Sequence, residues 1–136
     1  MKNIVLNILA IIAGAVIGSL VNMGIIQVQG YFIPLPEGFD IKNFAESIKL
    51  LETKHFVMPF IAHALGTLTG AFVAAVISPN KKFLVSLIIG ALFLLGGIST
   101  IVMYGGPLWF SFIDLIFAYF PMAWVGYRIA VHFRGK

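Results

Sequence analysis

The sequence predicts an all-α protein, an integral membrane four-helix bundle with a short amphipathic helix in the extracytoplasmic loop between spans one and two. Of its 136 residues, 60% are hydrophobic and only 10% are charged, whereas a soluble domain carries about a quarter charged residues. The hydrophobic residues form four runs of about 20 residues, the length that crosses a bilayer. We therefore expect residues 1–136 to form a single transmembrane domain, with the lipid bilayer as its main partner.

The cysteine content and the charge exclude several classes of protein. The chain has no cysteine, which excludes disulfides, thiolate zinc sites and thiol catalysis. Its formal charge is +4, but the basic residues lie at the ends of the hydrophobic runs, where membrane topology explains them. We therefore expect no binding of nucleic acid.

The first predicted span covers residues 4–28. One helical face of this span carries Asn7, Gly14, Gly18 and Asn22. Gly14 and Gly18 form a GxxxG pattern, which is typical of close packing between membrane helices. The run is longer than the hydrophobic region of a secretory signal, so we expect it to be retained.

The loop before span two contains helix breakers and then a helical pattern. Pro34, Pro36 and Gly38 interrupt the chain, and Asp40 has the character of an N-cap. Residues 40–53 then predict an amphipathic helix. Its apolar face consists of Ile41, Phe44, Ala45, Ile48 and Leu51. The pattern fits both a helix on the bilayer surface and one that caps the bundle.

Span two, predicted over residues 56–78, contains a stripe of small residues, a histidine and a proline. The small residues are spaced four apart, as helix packing requires: Ala62, Gly66, Gly70, Ala74 and Ser78. His63 lies about two turns inside the span. Pro59 lies one turn before His63 and is expected to leave the carbonyl of His55 without its helical donor.

Short turns join the last three spans. A basic turn over residues 79–82 leads to span three, residues 83–104, and a Gly-Gly-Pro turn leads to span four, residues 108–127. Turns of this length force neighbouring spans to be antiparallel. Pro121 removes a backbone hydrogen bond inside span four and predicts a kink there.

The distribution of Lys and Arg predicts the orientation. With the N-terminus in the cytosol, the inner side holds six basic residues, namely Lys2, Lys81, Lys82, Arg128, Arg134 and Lys136. The outer side holds Lys42, Lys49 and Lys54, which four acidic residues outnumber. Both termini are therefore expected to be cytoplasmic.

With this orientation, all four spans place polar side chains at a similar depth. They lie about four to seven residues inside the outer ends, which is roughly 6 to 11 Å at the rise of a helix. Thr67 follows one turn deeper, and the inner half holds nearly only apolar or small residues. The sequence thus predicts an outward-facing site for a ligand or ion, formed by Asn22, His63, Thr67, Ser99, Thr100 and Asp114.

Asp114 is the most informative of these residues, because no other carboxylate lies within a span. A charged aspartate at the bilayer centre costs about 2.5 to 3.5 kcal/mol, so Asp114 should face the bundle interior and pair with His63. The pair fits both a functional site and a structural hydrogen bond that joins two helices.

The sequence does not predict a metal site, a cofactor or a catalytic residue. A catalytic metal site needs about three converging ligands. Glu52 and His55 are spaced as in carboxylate sites of helical bundles, but such a di-metal site needs two of these pairs. The sequence therefore favours a protein that is not an enzyme.

Five stretches of the chain resemble a group of small four-span bacterial inner-membrane proteins of unassigned function. They are GSLVNMGII, PEGFD, KHFVMPFIAHALGTLTGAFVAA, FLLGGI and WFSFIDLIFAYFPMAWVG. The resemblance covers nearly the whole chain. It implies a multi-pass protein of the bacterial inner membrane and brings no activity with it.

Three functions remain open from the sequence. The first is a carrier for a small solute, a cation or a proton-coupled solute, in a homo-oligomer that packs through Gly14, Gly18, Gly66 and Gly70. The second is a structural or accessory subunit of a larger membrane complex. The third is an outer-leaflet enzyme that modifies a lipid or quinone, with His63 as the base and Asp114 as the residue that orients it.

Overall fold

The computed structural model describes residues 1–134 and contains helices and no strand in that range. Four helical segments are long and apolar enough to cross a membrane: Lys2–Phe32, Thr53–Ile77, Lys82–Tyr104 and Leu108–Arg134. The all-α fold with four membrane-length segments is therefore confirmed. Lys136, which contributes to the predicted orientation, lies outside the described residues.

Residues 1–134 contain six α-helices, one of them in the loop and the others within these segments, and the second segment begins with a 3-10 helix over Thr53–Phe56. The α-helices are α1 (Lys2–Phe32), α2 (Phe44–Ser47), α3 (Val57–Ile77), α4 (Lys82–Tyr104), α5 (Leu108–Phe117) and α6 (Phe120–Arg134). We call the end of the bundle that carries residues 33–52 the loop end and the opposite end the termini end. Helix α1 continues four residues beyond the predicted boundary, because the first residue that breaks it is Pro34, whose ring forces Ile33 into an extended conformation.

Helix α3 lies at the centre of the bundle and contacts α1, α4, α5 and α6. Small side chains make this position possible, because they let several helices approach α3 at once. A core of buried apolar residues joins α3 to α4 and α6, and it consists of Ala71, Ala74, Val85, Ile89 and Ala123.

The predicted stripe of small residues on α3 packs against α1 in an antiparallel register. A Cβ added to Gly18 would lie 2.6 Å from the carbonyl oxygen of Gly66, and one added to Gly14 would lie 2.5 Å from that of Gly70. The backbones therefore touch where the four glycines meet. We call this contact the glycine seam.

The glycine seam lies within one chain. Gly14, Gly18, Gly66 and Gly70 are buried between α1 and α3. The GxxxG spacing is the same for a contact within a chain and for a contact between chains, because it reflects only the close approach of two helices. The homo-oligomer predicted through these glycines stays a prediction.

Helix α1 has an exposed apolar stripe over residues 4–20. Ile4, Ile8, Ile12, Val16 and Leu20 are spaced four apart, and each is more than half exposed. An exposed apolar stripe of this length is typical of a surface that contacts lipid.

The amphipathic helix predicted over residues 40–53 is interrupted. Two short 3-10 helices, Ile41–Asn43 and Ile48–Leu50, flank the single turn of α2. The interruption lies at Asn43, whose backbone is not helical. Asp40 is the N-cap of the first 3-10 helix, as predicted. Its side chain accepts hydrogen bonds from the backbone of Lys42 and the side chain of Asn43, while its own backbone pairs with the Ser47 hydroxyl.

The loop caps the bundle at the loop end. The ring of Phe44 lies 5.0 Å from that of Tyr104, whereas the predicted apolar residue Ile41 points outwards. His55 fixes the loop on the other side. Its Nδ1 accepts from the backbone of Glu52, and its Nε2 lies 3.1 Å from the carbonyl oxygen of Pro34.

The two prolines in the spans have different effects. Pro121 follows a break at residues 118–119, which divides the predicted span four into α5 and α6, as a proline inside a helix is expected to do. Pro59 leaves α3 uninterrupted, although it has no N–H to donate to the carbonyl of His55. Pro59 lies in the first turn of α3, where backbone N–H groups have no partner within the helix in any case.

The termini end has a polar cluster that the sequence did not indicate. The hydroxyl of the buried Ser78 donates to Oδ1 of Asn7 at 2.7 Å, and the Asn7 amide donates to Oδ1 of Asn80 at 3.0 Å. These bonds join the start of α1 to the turn between α3 and α4. The half of the bundle at the termini end is therefore less uniformly apolar than predicted.

Candidate functional site

Three side chains form the polar centre of the bundle, and we call them the triad. Nδ1 of His63 lies 2.8 Å from Oδ1 of Asp114. The hydroxyl of Tyr119 donates to Oδ2 of Asp114 at 2.7 Å and lies 3.2 Å from Nδ1 of His63. The contact that the sequence predicts between Asp114 and His63 is therefore present, and Tyr119 is an addition to it.

The break in the fourth span brings two members of the triad together. Asp114 lies on α5, and Tyr119 lies in the two residues between α5 and α6. In a continuous helix, residues five apart point about 140° away from each other. The break removes this constraint, so that both side chains reach His63 on α3.

The hydrogen bonds of Asp114 fix the roles of its neighbours. Asp114 is only 1% exposed, and each of its two oxygens has a partner. When Asp114 is ionised it can only accept, so that Nδ1 of His63 and the Tyr119 hydroxyl are the donors. In that state Asp114 holds the imidazole in one orientation, with a proton on Nδ1.

The second ring nitrogen of His63 is open. No residue of the described part of the chain forms a hydrogen bond with Nε2, and the His63 side chain is 18% exposed. In the neutral ring with a proton on Nδ1, Nε2 is a hydrogen-bond acceptor. His63 therefore combines a fixed orientation with one unoccupied polar atom.

Two cavities meet at His63. The first, which we call the roofed cavity, has a volume of about 180 Å³ and lies beneath Phe44, Ile48 and Leu51 of the loop, with His63 and Asp114 at its floor. Residues of the loop therefore line the same cavity as two members of the triad.

The second cavity, which we call the lateral cavity, has a volume of about 440 Å³ and lies between α1 and α4. Ser19 and Asn22 line it on α1. Both cavities are lined by His63, Gly97 and Thr100. The imidazole can therefore be reached from two directions.

The other predicted site residues divide into two groups. Asn22 and Thr100 line the lateral cavity with His63. Thr67 and Ser99 line neither cavity. The Thr67 hydroxyl donates to the carbonyl of His63, one turn back in α3, and Ser99 is exposed and donates to its own helix. The structure thus brings Asn22, His63, Thr100 and Asp114 to one region.

Comparisons with family models, with curated proteins and with solved structures find no match for this chain. The resemblance to small four-span bacterial proteins therefore stays a prediction. The triad and the two cavities are the features of this chain that indicate a function.

Tyr119 is the member of the site that sequence reasoning missed. A tyrosine within an apolar run gives no periodic signal, and its spacing from Asp114 places it on another face of a continuous helix. The signal that could have found it is Pro121, which lies two residues later and predicts a break beside Tyr119.

The chemistry of the site is that of proton binding and hydrogen bonding. Within residues 1–134, no three His, Asp or Glu side chains are grouped as metal ligands would be. His55, which was a candidate ligand, is buried and uses both ring nitrogens in the loop. The triad offers one nitrogen that can accept a proton or a hydrogen bond from a bound molecule.

Proposed function

We propose that this chain is a small multi-pass protein of the bacterial inner membrane, with both termini in the cytosol, and that it acts as a carrier. Its cargo would be a small solute, a cation or a solute that moves with protons. Four membrane-length apolar helices, the distribution of Lys and Arg and the resemblance to four-span bacterial proteins support this location and orientation.

One observation carries the proposal of a carrier, namely the interrupted fourth span that brings Asp114 and Tyr119 to His63. Many secondary transporters bind their cargo where a spanning helix is discontinuous. Ionisable residues within spans mark ion pathways and proton relays, because their presence in hydrocarbon is otherwise costly. The triad combines both features in one place.

The packing on either side of the triad fits a carrier that is open or occluded towards the outside. The roofed cavity lies between the triad and the loop end. Towards the termini end, the buried core around Ala71, Val85 and Ile89 closes the bundle. To expose the triad to the other side of the membrane, a carrier would separate this core while the loop end closes. The break at residues 118–119 would serve as the hinge for this motion.

Solute-driven proton movement in proteoliposomes tests the proposal. The internal pH is followed with a trapped dye after addition of Na⁺, K⁺, acetate or phenol. Acetic acid and phenol cross lipid unaided, so protein-free liposomes give the reference for each solute. We expect at least one solute to change the internal pH beyond this reference with the native protein and not with Asp114→Asn. The control is Glu46→Gln, which makes the same chemical change on an exposed loop residue and should behave as the native protein does.

The proposal fails if none of the four solutes changes the internal pH beyond that of protein-free liposomes, or if Asp114→Asn supports the same additional change as the native protein. Copurification with a larger complex at a fixed ratio, with Asp114→Asn only lowering the yield, would indicate an accessory subunit instead.

A second candidate function rests on the open Nε2 of His63. A histidine whose Nδ1 is bonded to a carboxylate can act as a general base through Nε2. The alternative function is therefore an outer-leaflet enzyme that modifies a lipid or a quinone. Incubation of the purified protein with extracted bacterial lipids and quinones, followed by mass spectrometry, distinguishes the two. A product that forms with the native protein and not with His63→Gln would favour the enzyme.

A further inference from the structure

Four aromatic side chains line the roofed cavity, together with aliphatic side chains and the amide of Gln29 on α1. Phe44 comes from the loop, Phe56 precedes α3, Tyr104 ends α4 and Phe110 lies on α5. The ring of Phe56 lies 4.9 Å from that of Phe110, and Phe44 lies against Tyr104. Aromatic side chains on several sides favour a flat ring as the bound molecule, because ring faces and edges attract one another.

The size of the cavity limits the ligand. A cavity of about 150 Å³ lined by apolar side chains binds benzene, and the roofed cavity is only slightly larger at about 180 Å³. It therefore fits one six-membered ring with a small substituent. A lipid chain or a multi-ring compound is too large, and a hydrated cation or a sugar has too many polar groups for these walls.

The floor of the cavity specifies the polar group of the ligand. Asp114 has both oxygens occupied, and the Thr100 hydroxyl donates to the carbonyl of Gly96. The amide of Gln29 also lines the cavity and offers a donor and an acceptor. Nε2 of His63 is the open acceptor within the triad, as derived above. A ligand that satisfies it must supply a donor, and a hydroxyl on the ring does so without adding further polar groups.

We propose that the roofed cavity is a binding site for a monocyclic phenol. The ring lies among Phe44, Phe56 and Phe110, and its hydroxyl donates a hydrogen bond to Nε2 of His63. That such a phenol is the solute which the protein carries rests on the proposed function. The binding site itself rests on the cavity and the triad alone.

The lateral cavity supplies the route of access. It shares His63, Gly97 and Thr100 with the roofed cavity and lies between α1 and α4. Phenols partition into the membrane because most of their surface is apolar. A ligand of this class can therefore reach the triad from the bilayer, without passing through the loop that roofs the site.

The test is a comparison of two probes of nearly equal shape, 4-fluorophenol and 4-fluorotoluene, with native protein in nanodiscs. Binding is followed by ¹⁹F NMR, with empty nanodiscs as the reference for partition into lipid. We expect saturable binding of 4-fluorophenol that is about tenfold tighter than that of 4-fluorotoluene, the difference that one buried hydrogen bond makes. Equal affinities, or no saturable binding above empty nanodiscs, would overturn the proposal.

Two variants on α4 locate the bound probe. Ile101→Trp puts a large side chain into the roofed cavity, which Ile101 lines, and should abolish the binding of both probes. Ile98→Trp is the control, because Ile98 lies on the outer face of the same helix and is 40% exposed. If Ile101→Trp folds and still binds 4-fluorophenol as the native protein does, the probe binds elsewhere and the proposal is wrong.

The outcomes separate this inference from the proposed function. Preferential binding of 4-fluorophenol without any Asp114-dependent proton movement would keep the site and overturn the carrier. Proton movement driven by Na⁺, together with equal affinities for the two fluorinated probes, would keep the carrier and overturn the phenol site.

Discussion

The hydroxyl of Tyr119 lies directly against the Cα of Gly97, and there is no room for a Cβ between them. A Cβ added to Gly97 would overlap the hydroxyl oxygen and lie 2.7 Å from the ring carbon that carries it. Gly97 is therefore the position on α4 that admits Tyr119 to the triad, although it contributes no side chain.

We expect Gly97→Ala to displace the Tyr119 hydroxyl from Asp114. Overpacking of this kind lowers the free energy of unfolding by about 1 to 3 kcal/mol, measurable by reversible unfolding in mixed micelles. The preceding residue is a matched control, because a Cβ at Gly96 meets no atom within 4 Å. If Gly97→Ala and Gly96→Ala have the same stability, the close contact is not a determinant of the fold.

Tyr119→Phe tests the hydrogen bond without changing the ring. Oδ2 of the buried Asp114 would lose its donor, and an unsatisfied buried acceptor costs about 1 to 3 kcal/mol. We expect this loss in the free energy of unfolding. We also expect the imidazole resonances of His63 to change in NMR spectra, because its second neighbour at Nδ1 is removed.

The control for Tyr119→Phe is Tyr127→Phe on α6. Tyr127 contacts Phe83 through its ring, with 5.2 Å between the centroids, and the ring is retained in phenylalanine. This variant should leave both the stability and the His63 resonances unchanged. Equal effects of the two substitutions would mean that the Tyr119 hydroxyl contributes nothing specific to Asp114.

The sequence predicts the spans and the pairing of His63 with Asp114, because both follow from the polarity of the residues in the sequence. Apolar runs fix the spans, and two ionisable groups at one depth in a membrane have few other partners. Tyr119 could not be predicted in the same way. Its side chain reaches Asp114 only because the helix breaks between them, and such a break changes directions by an amount that spacing does not specify.

Two further features could not be predicted from the sequence, namely the partner of the GxxxG face and the form of the loop. Gly14 and Gly18 have the same spacing whether their partner is α3 or a second chain. In the loop, apolar spacing over residues 40–53 indicates one helix, but the backbone leaves helical geometry at Asn43, and the Ser47 hydroxyl bonds to the backbone of Asp40 across this break. Polar side chains that bond to the local backbone compete with helix formation in ways that periodicity does not register.

The glycine seam should tolerate no added methyl group. A Cβ on Gly18 would lie 2.6 Å from the carbonyl oxygen of Gly66, and a backbone atom cannot move aside alone. We expect Gly18→Ala to lower the free energy of unfolding by about 1 to 3 kcal/mol. On the same helix, Gly24→Ala meets no atom within 4 Å and should be neutral or up to about 1 kcal/mol more stable.

The concentration dependence of the Gly18→Ala effect distinguishes a contact within one chain from a contact between two copies. If the seam lies within one chain, the stability change of Gly18→Ala does not depend on protein concentration. A stability loss that disappears on dilution would show that Gly18 packs against a second copy instead.

The polar cluster at the termini end should affect stability and leave the site unchanged. Ser78 is 0% exposed, and its hydroxyl donates to Asn7 and accepts from the backbone N–H of Lys81 at 3.1 Å. Ser78→Ala removes both bonds and should lower the free energy of unfolding by about 1 to 3 kcal/mol, because the partner groups lose their hydrogen bonds at a largely buried position. Ser99→Ala is the control, since the Ser99 hydroxyl is exposed and bonds only within α4.

Because Ser78 and the triad lie at opposite ends of α3, both variants should bind 4-fluorophenol as the native protein does. Weaker binding in Ser78→Ala alone would mean that the two ends of the bundle are energetically coupled, which neither the hydrogen bonds nor the core packing predicts.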